Sequence, residues 1–192
     1  MKTVTALVLV LLCGTQTAPA FVIEMAPGEG IPHYTARGST LAVREAPSSN
    51  AEIIARVEIS AGTTVEYSAT RFQTLQPGLL VATNDTEIRG RNLQARRHLT
   101  RDDYYRHAGD RSSVSVQRGD SIQYLQYRAE GTCFVIVRGD LWDSNECPAL
   151  PGSAFTTLSD PIVEWWIQIA GEHVPVGWVL VDPATLLVGR GF

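Results

Sequence analysis

Along most of the chain apolar and polar residues alternate with a period of two, the spacing of half-buried β-strands, and only one short stretch carries helical signals. Leu41 and Val43 alternate with small or polar neighbours and run into Arg44-Glu45-Ala46-Pro47. A polar loop follows, then the apolar run Ile53, Ile54 and Val57, a turn at Gly62, and renewed alternation at Val65 and Tyr67. Ala51 to Val57 also fits a helical turn, but its β-branched content and the nearby glycine favour a strand. Further strands are expected at Leu79 to Thr83, after the Pro77-Gly78 turn, at Gly119 to Tyr124, at Cys133 to Val137 and at Ile162 to Ile169. The one helix is expected over about residues 101–107, because Thr100 and Asp103 have the spacing of a capping box and Gly109 stands where a helix would stop.

Two stretches repeat a pattern. Gly62-Thr63-Thr64-Val65-Glu66-Tyr67 and Gly119-Asp120-Ser121-Ile122-Gln123-Tyr124 both read Gly-x-x-(Val/Ile)-x-Tyr. Each is followed by an arginine, a glycine turn and a strand: Arg71 and Gly78 in the first, Arg128 and Gly131 in the second. Duplication explains this, and so do the shared demands of any β-hairpin.

The order of elements from Thr40 to Tyr67, with Leu41-x-Val43-Arg44-x-x-Pro47, resembles the first half of a bacterial SH3-like (SH3b) barrel. The tryptophan strand at Trp165 and Trp166 followed by Gly177-Trp178-Val179 resembles the way such a repeat ends. The fold expected from this resemblance is mainly β, two small SH3-like β-barrel domains in tandem with a short helix in the connection. The division is an extended N-terminal arm at 21–38, a first domain at 39–95, a basic connection at 96–112 and a second domain at 113–192. One barrel with a very long insertion would also separate the clear beginning from the clear ending. Two domains are preferred because Gly119 to Val181 supplies at least four strand signals of its own.

Composition adds the compartment. Lys2, the apolar run Ala6 to Leu12 and Ala18-Pro19-Ala20 have the layout of a secretory signal peptide, so residues 1–20 are expected to be removed and Phe21 to lead the mature chain. That apolar run is too short to span a bilayer, and no integral membrane segment is expected. Cys13 falls in the discarded segment. In an oxidising compartment the remaining cysteines, Cys133 and Cys147, are expected to form a disulfide. Of 16 basic residues only Lys2 is a lysine, against 20 acidic ones. Seven arginines crowd into Arg89 to Arg111 among three aspartates, a basic segment in an acidic chain.

No catalytic constellation, cofactor motif or metal set is expected. Cys133 lies in an apolar strand with a disulfide partner, which argues against a thiol nucleophile activated by His173. A metal site drawn from His98, Asp102, Asp103 and His107 would sit among Arg96, Arg97, Arg101 and Arg106, which repel a cation. The same arginines could grip an anionic partner, with Arg96, Arg97 and Arg101 as candidates; no stacking-aromatic motif accompanies them, and nucleic acid is not expected. Along Ile162 to Ile169, alternation assigns Val163, Trp165, Ile167 and Ile169 to the core and sends Glu164, Trp166 and Gln168 to the other face. Trp166 between Glu164 and Gln168 is therefore the first candidate for recognition, with Trp142 and Tyr127 as secondary ones. Tyr67 and Tyr124 are assigned to the core. The resemblance implies a non-catalytic exported adaptor that binds a peptidoglycan peptide or an envelope protein. The alternatives are a small envelope hydrolase, an inhibitor of a cell-wall enzyme, and a structural component of an envelope complex.

Overall fold

The computed structural model describes residues 21–25, 32–106 and 111–190. The expected signal peptide at 1–20, His107 and the helix stop at Gly109 lie outside the described residues. The strands in chain order begin with β1 (Phe21–Ile23), β2 (Pro32–Ala36), β3 (Ser39–Arg44), β4 (Ile53–Ile59), β5 (Thr64–Val65) and β6 (Ala69–Gln76). Next come β7 (Gly78–Ala82), β8 (Thr86–Asn92), β9 (His98–Leu99), helix α1 (Arg101–Arg106), β10 (Arg111–Val116) and β11 (Ser121–Tyr127). The chain continues with β12 (Cys133–Val137), β13 (Asp140–Ser144), β14 (Phe155–Ser159), β15 (Ile162–Gly171), β16 (Val174–Leu180) and β17 (Leu186–Arg190). The fold is mainly β, and no described helix is long and apolar enough to cross a membrane.

Among the described residues the strands form two seven-stranded sheets and one of three strands. One has the order β4-β3-β16-β15-β6-β1-β9, another β10-β8-β13-β12-β11-β7-β14, and the small one β17-β2-β5. Since β5 leads directly into β6, the first and third sheets together give β4-β3-β16-β15-(β6, β5)-β2-β17. The second sheet repeats that order strand for strand, with the single long β11 standing where β5 and β6 stand. The chain thus holds two units of one topology, and the second, residues 78–159, lies between β6 and β15 of the first. The tandem division at 96–112 is accordingly corrected: β7 and β8 pair with strands of the second half, and β15 and β16 with strands of the first. The connection itself, with α1, lies inside the nested unit between β8 and β10.

The repeated glycine motif sits at equivalent turns. Gly62 and Gly119 have φ of 84° and 89°, and a Cβ on either would meet nothing within 4 Å. Glycine is favoured there by the left-handed backbone and not by space. Gly62 N donates to Ala36 O at 2.8 Å while Ala36 N donates to Thr63 O at 2.8 Å. Gly119 N donates to Ala82 O at 2.8 Å while Ala82 N donates to Asp120 O at 2.9 Å. The strands that receive these bonds, β2 and β7, alternate buried and more exposed positions in the same way, with Tyr34 facing Val65 in one unit and Leu80 facing Ile122 in the other.

Chain passes between the units as a two-stranded ribbon at Pro77 and Pro161. Ile162 lies opposite Gln76 on one side of this crossing and Ser159 opposite Leu79 on the other. A Cβ on Gly78 would stand 2.5 Å from Ser159 O and 2.8 Å from the Pro161 nitrogen, so the closeness of the ribbon requires glycine.

Three apolar clusters hold the molecule. The outer unit packs Tyr34, Leu41, Val43 and Val65 from early in the chain against Ile167, Ile169, Val179 and Leu186 from its end. The nested unit has its own core of Leu80, Ile88, Ile122, Val135 and Trp142. Between the units Phe21, Ile23 and Phe72 meet Leu99, Tyr104, Leu125 and Phe134. Trp165 packs against both the outer and the inter-unit cluster, 4.7 Å from the Phe72 ring and 5.6 Å from that of Tyr34. Thr74 adds a buried bond across the units, donating to Leu125 O at 3.1 Å.

Parts of the expected arm are strands: β1 pairs with β6 and runs parallel to β9, with Phe21 fully buried. The helix starts as expected. Thr100 Oγ1 accepts from Asp103 N at 3.1 Å, the N-cap bond, and donates to the Asp103 carboxylate at 2.8 Å. Cys133 and Cys147 form the expected disulfide, with their Cα atoms 5.1 Å apart.

Candidate functional site

Alternation along β16 places Gly177 and Val179 inward and turns Trp178 the other way, half-buried. Gly177 is needed for that approach, because a Cβ there would stand 2.8 Å from Arg44 O and 2.5 Å from Val43 Cγ1. On β6, Phe72 points inward and Arg71 outward, and the Arg71 guanidinium lies 5.3 Å from the Trp178 ring centre. Its Nη2 donates to Glu24 Oε1 at 2.7 Å, and that oxygen also lies 2.9 Å from His98 Nε2. Arg71 Nε is buried without a partner among the described residues.

Opposite this wall stand α1 and the end of β11. Tyr104 is buried against Phe134, and its hydroxyl donates to Asp143 Oδ2 at 2.9 Å. Asp143 also meets Arg91 Nη2 at 2.8 Å and Arg128 Nη1 at 3.2 Å, so one buried carboxylate serves two guanidiniums. Both guanidiniums lie over the Tyr104 ring, at 4.0 and 4.7 Å from its centre. Burial raises the Asp143 carboxyl above the usual carboxylate range, outweighing the two arginines and their hydrogen bonds, which pull the other way. Burial likewise lowers Arg91, against the opposing pull of Asp143. Arg101, on the first turn of α1, lies 5.8 Å from the exposed Tyr105 ring.

Between the two walls is a cleft of about 1100 Å³. Trp178, Tyr67 and Tyr105 supply its aromatic lining, Arg71, Arg101 and Arg128 its cations, and Glu24 and Glu66 its acids. Such a mixture binds by stacking and charge-assisted hydrogen bonds. Neither cysteine lines it, and Cys133 is fully buried in its disulfide, so the Cys133 and His173 pair offers no thiolate. Among the described residues no group of three or more His, Cys, Asp or Glu could hold a metal ion.

Of the binding candidates named from the sequence, Arg101 lines the cleft, and Trp166, Glu164, Gln168, Trp142, Tyr127, Arg96 and Arg97 do not. Trp166 shares a face with Glu164 and Gln168 as expected, but it is completely buried. Its Nε1 donates to Glu164 Oε2 at 3.0 Å, and the loop between β3 and β4 is fastened over that face. Ser49 donates to Glu164 Oε1 at 2.5 Å, and Gln73, opposite Glu164, donates to Pro47 O at 2.7 Å. Gln168 is half-buried and accepts from Ser68 at 3.1 Å. Val163, expected in the core, is exposed near the start of β15, although it stays in continuous register with Trp165 and Ile167.

Trp142 belongs to the nested core and is 4 % exposed, which corrects its assignment to the surface. Tyr127 is exposed, and its hydroxyl accepts from Gly131 N at 2.8 Å, closing the turn before β12. Arg96 pairs with Asp103 at 3.2 Å and Arg97 is exposed on the connection, and neither lines the cleft with Arg101. Tyr67 and Tyr124 pack against the two unit cores, both half-buried, and Tyr67 also reaches the cleft. Sequence reasoning missed Arg71, Trp178 and Arg128. Trp178 stands in the sequence only as part of the Gly177-Trp178-Val179 ending, and Arg71 lies too far away in the chain for any local pattern to join them.

Comparison with known proteins found no counterpart: no family model, no curated protein and no solved structure matches this chain.

Proposed function

We propose that this is a non-catalytic exported binding protein of the cell envelope, built from two SH3-like units, one nested in the other, that holds a cell-wall peptide or a segment of an envelope protein in the Trp178 cleft. The observation that carries the reading is the convergence of Trp178, Arg71, Arg101 and Arg128 on one open cleft of about 1100 Å³. A half-buried indole with a guanidinium over it is the type of anchor that dominates recognition surfaces. The SH3-like reading is supported by the Leu41-x-Val43-Arg44 beginning and the Gly177-Trp178-Val179 ending, whose strands meet where Trp178 faces Arg44. Export is supported by the pattern at Lys2 to Ala20 and by the disulfide.

The test is retention on purified sacculi and on envelope extract. Trp178→Ala is expected to lower retention by about tenfold or more with the circular dichroism spectrum preserved, whereas Trp166→Ala is expected to cost roughly 3–5 kcal/mol of stability. Unchanged retention of folded Trp178→Ala would remove the cleft from the proposal.

A further inference from the structure

We propose that the cleft binds a carboxylate of an extended peptide, held between Arg101 and Arg128. This deepens the reading of the cleft as the binding site and rests on it. The argument begins with which cations are already neutralised. Arg71 is paired with Glu24. Arg101 faces the cleft and has no carboxylate partner among the described residues, only the Tyr105 ring beneath it. Arg128, half-buried, shares the single carboxylate of Asp143 with Arg91, so the trio keeps one positive charge in surplus.

The two cations are also prearranged. Arg128 is fixed by Asp143 and by the Tyr104 face, Arg101 lies over Tyr105, and the two rings meet edge to face with centroids 5.4 Å apart. Guanidiniums held in advance lose little freedom when a carboxylate arrives, and their planar forks match its two oxygens. Glu66, exposed on the facing wall, disfavours a more highly charged anion such as phosphate. Tyr67 and Trp178, which line the same cleft, offer aromatic surface to the peptide stem.

Three acetylated tetrapeptides test this on the full chain: tetra-alanine as its free acid, the same peptide as its C-terminal amide, and an amide with one internal glutamate. Binding is read from the Trp178 indole signal by NMR, assigned with Trp178→Phe. The free acid is expected to bind at least about tenfold tighter than the plain amide, the increment of a charge-assisted bidentate contact. The glutamate peptide distinguishes a side-chain carboxylate, if it matches or exceeds the free acid, from a chain end, if it matches the plain amide. Arg101→Ala, at an exposed position, is expected to bring the preferred peptide down to the level of the amide, and Arg128→Lys provides a second reading that keeps the charge but loses the fork. Equal binding of all three peptides, with the Trp178 signal moving, would overturn the carboxylate and leave the cleft intact as the binding site. No movement with any peptide up to about 10 mM, where even weak contacts register, would overturn both.

Discussion

In the nested unit the strands that close the sheet lie nearer in sequence than in the outer one: β8 meets β13 with Gly90 opposite Ser144. In the outer unit the equivalent strands are β3 and β16, with Arg44 opposite Trp178 across the whole inserted sheet. Strand order is the same in both. Chain continuity is therefore not what specifies the order; the equivalent glycine turns at Gly62 and Gly119 and the inward faces of β2 and β7 recur in each. The units differ in what decorates them. The nested unit carries the disulfide and, between β8 and β10, the helix with Tyr104, Tyr105 and Arg101. At the same place in the outer unit, between β3 and β4, a short loop is instead tied to Glu164 and Gln73 on the face that carries Trp166. The cleft lies where the helix of one unit faces β6 and β16 of the other, so neither unit contains it alone.

The largest expected effect comes from breaking the long-range closure. Gly177→Val would push a branched side chain into Arg44 O, Val43 and Ile54, and is expected to cost roughly 4 kcal/mol in guanidinium denaturation. Amide exchange should show the loss in β3, β4 and β16 with β11 to β13 still protected; a loss spread evenly over both units would remove the distinction between them. A smaller effect is expected in the nested unit. Replacing both Cys133 and Cys147 by alanine opens a loop of sequence separation 14 and is expected to cost about 3 kcal/mol, with faster exchange confined to β12, β13 and the loop to β14. Loosening of β3 and β16 by that variant would contradict it.

How much of this could be read from the sequence follows from what alternation encodes. It marks which residues share a face, so the strands around Leu41, Val65, Val81, Val135 and Ile167 were legible, as was the helix start at Thr100. It carries nothing about which distant strand lies alongside. Alternation therefore left two readings open, a tandem pair and one unit with a very long insertion, and the pairing of β16 with β3 decides for an insertion. Faces are also not burial. Trp166 is on the face alternation assigned to it, yet it is completely buried, and the 45–52 loop is tied to that face through Ser49 and Pro47. The cleft combines Arg71 and Trp178 with Arg101 and Arg128, four positions joined only by the fold, and composition hinted at Arg101 alone.

The smallest effect is electrostatic and separates two aspartates near the helix. Asp103 is held below the usual carboxylate range first by the Thr100 hydroxyl and then by Arg96 and Arg106, despite an opposing contribution from burial. Its contribution to stability is present above the ordinary aspartate value and is lost as pH falls through the lowered one. Asp143 is raised by burial, so the folded protein holds that proton more strongly than the unfolded chain, and stability declines as pH rises from the ordinary value through the raised one. Carboxyl carbon shifts followed against pH should therefore give Asp103 the lower midpoint and Asp143 the higher. The reverse order would show that the two arginines and Tyr104 outweigh burial.

The nesting of one unit inside another is tested most directly by nuclear Overhauser contacts between the backbone protons of residues 39–44 and 174–180 in the folded full chain. Cross-peaks joining Arg44 to Trp178 and its neighbours are the predicted result. Their absence, with β3 instead closing on a strand between residues 78 and 95, would mean that the units stand side by side along the chain and that the cleft does not form as described.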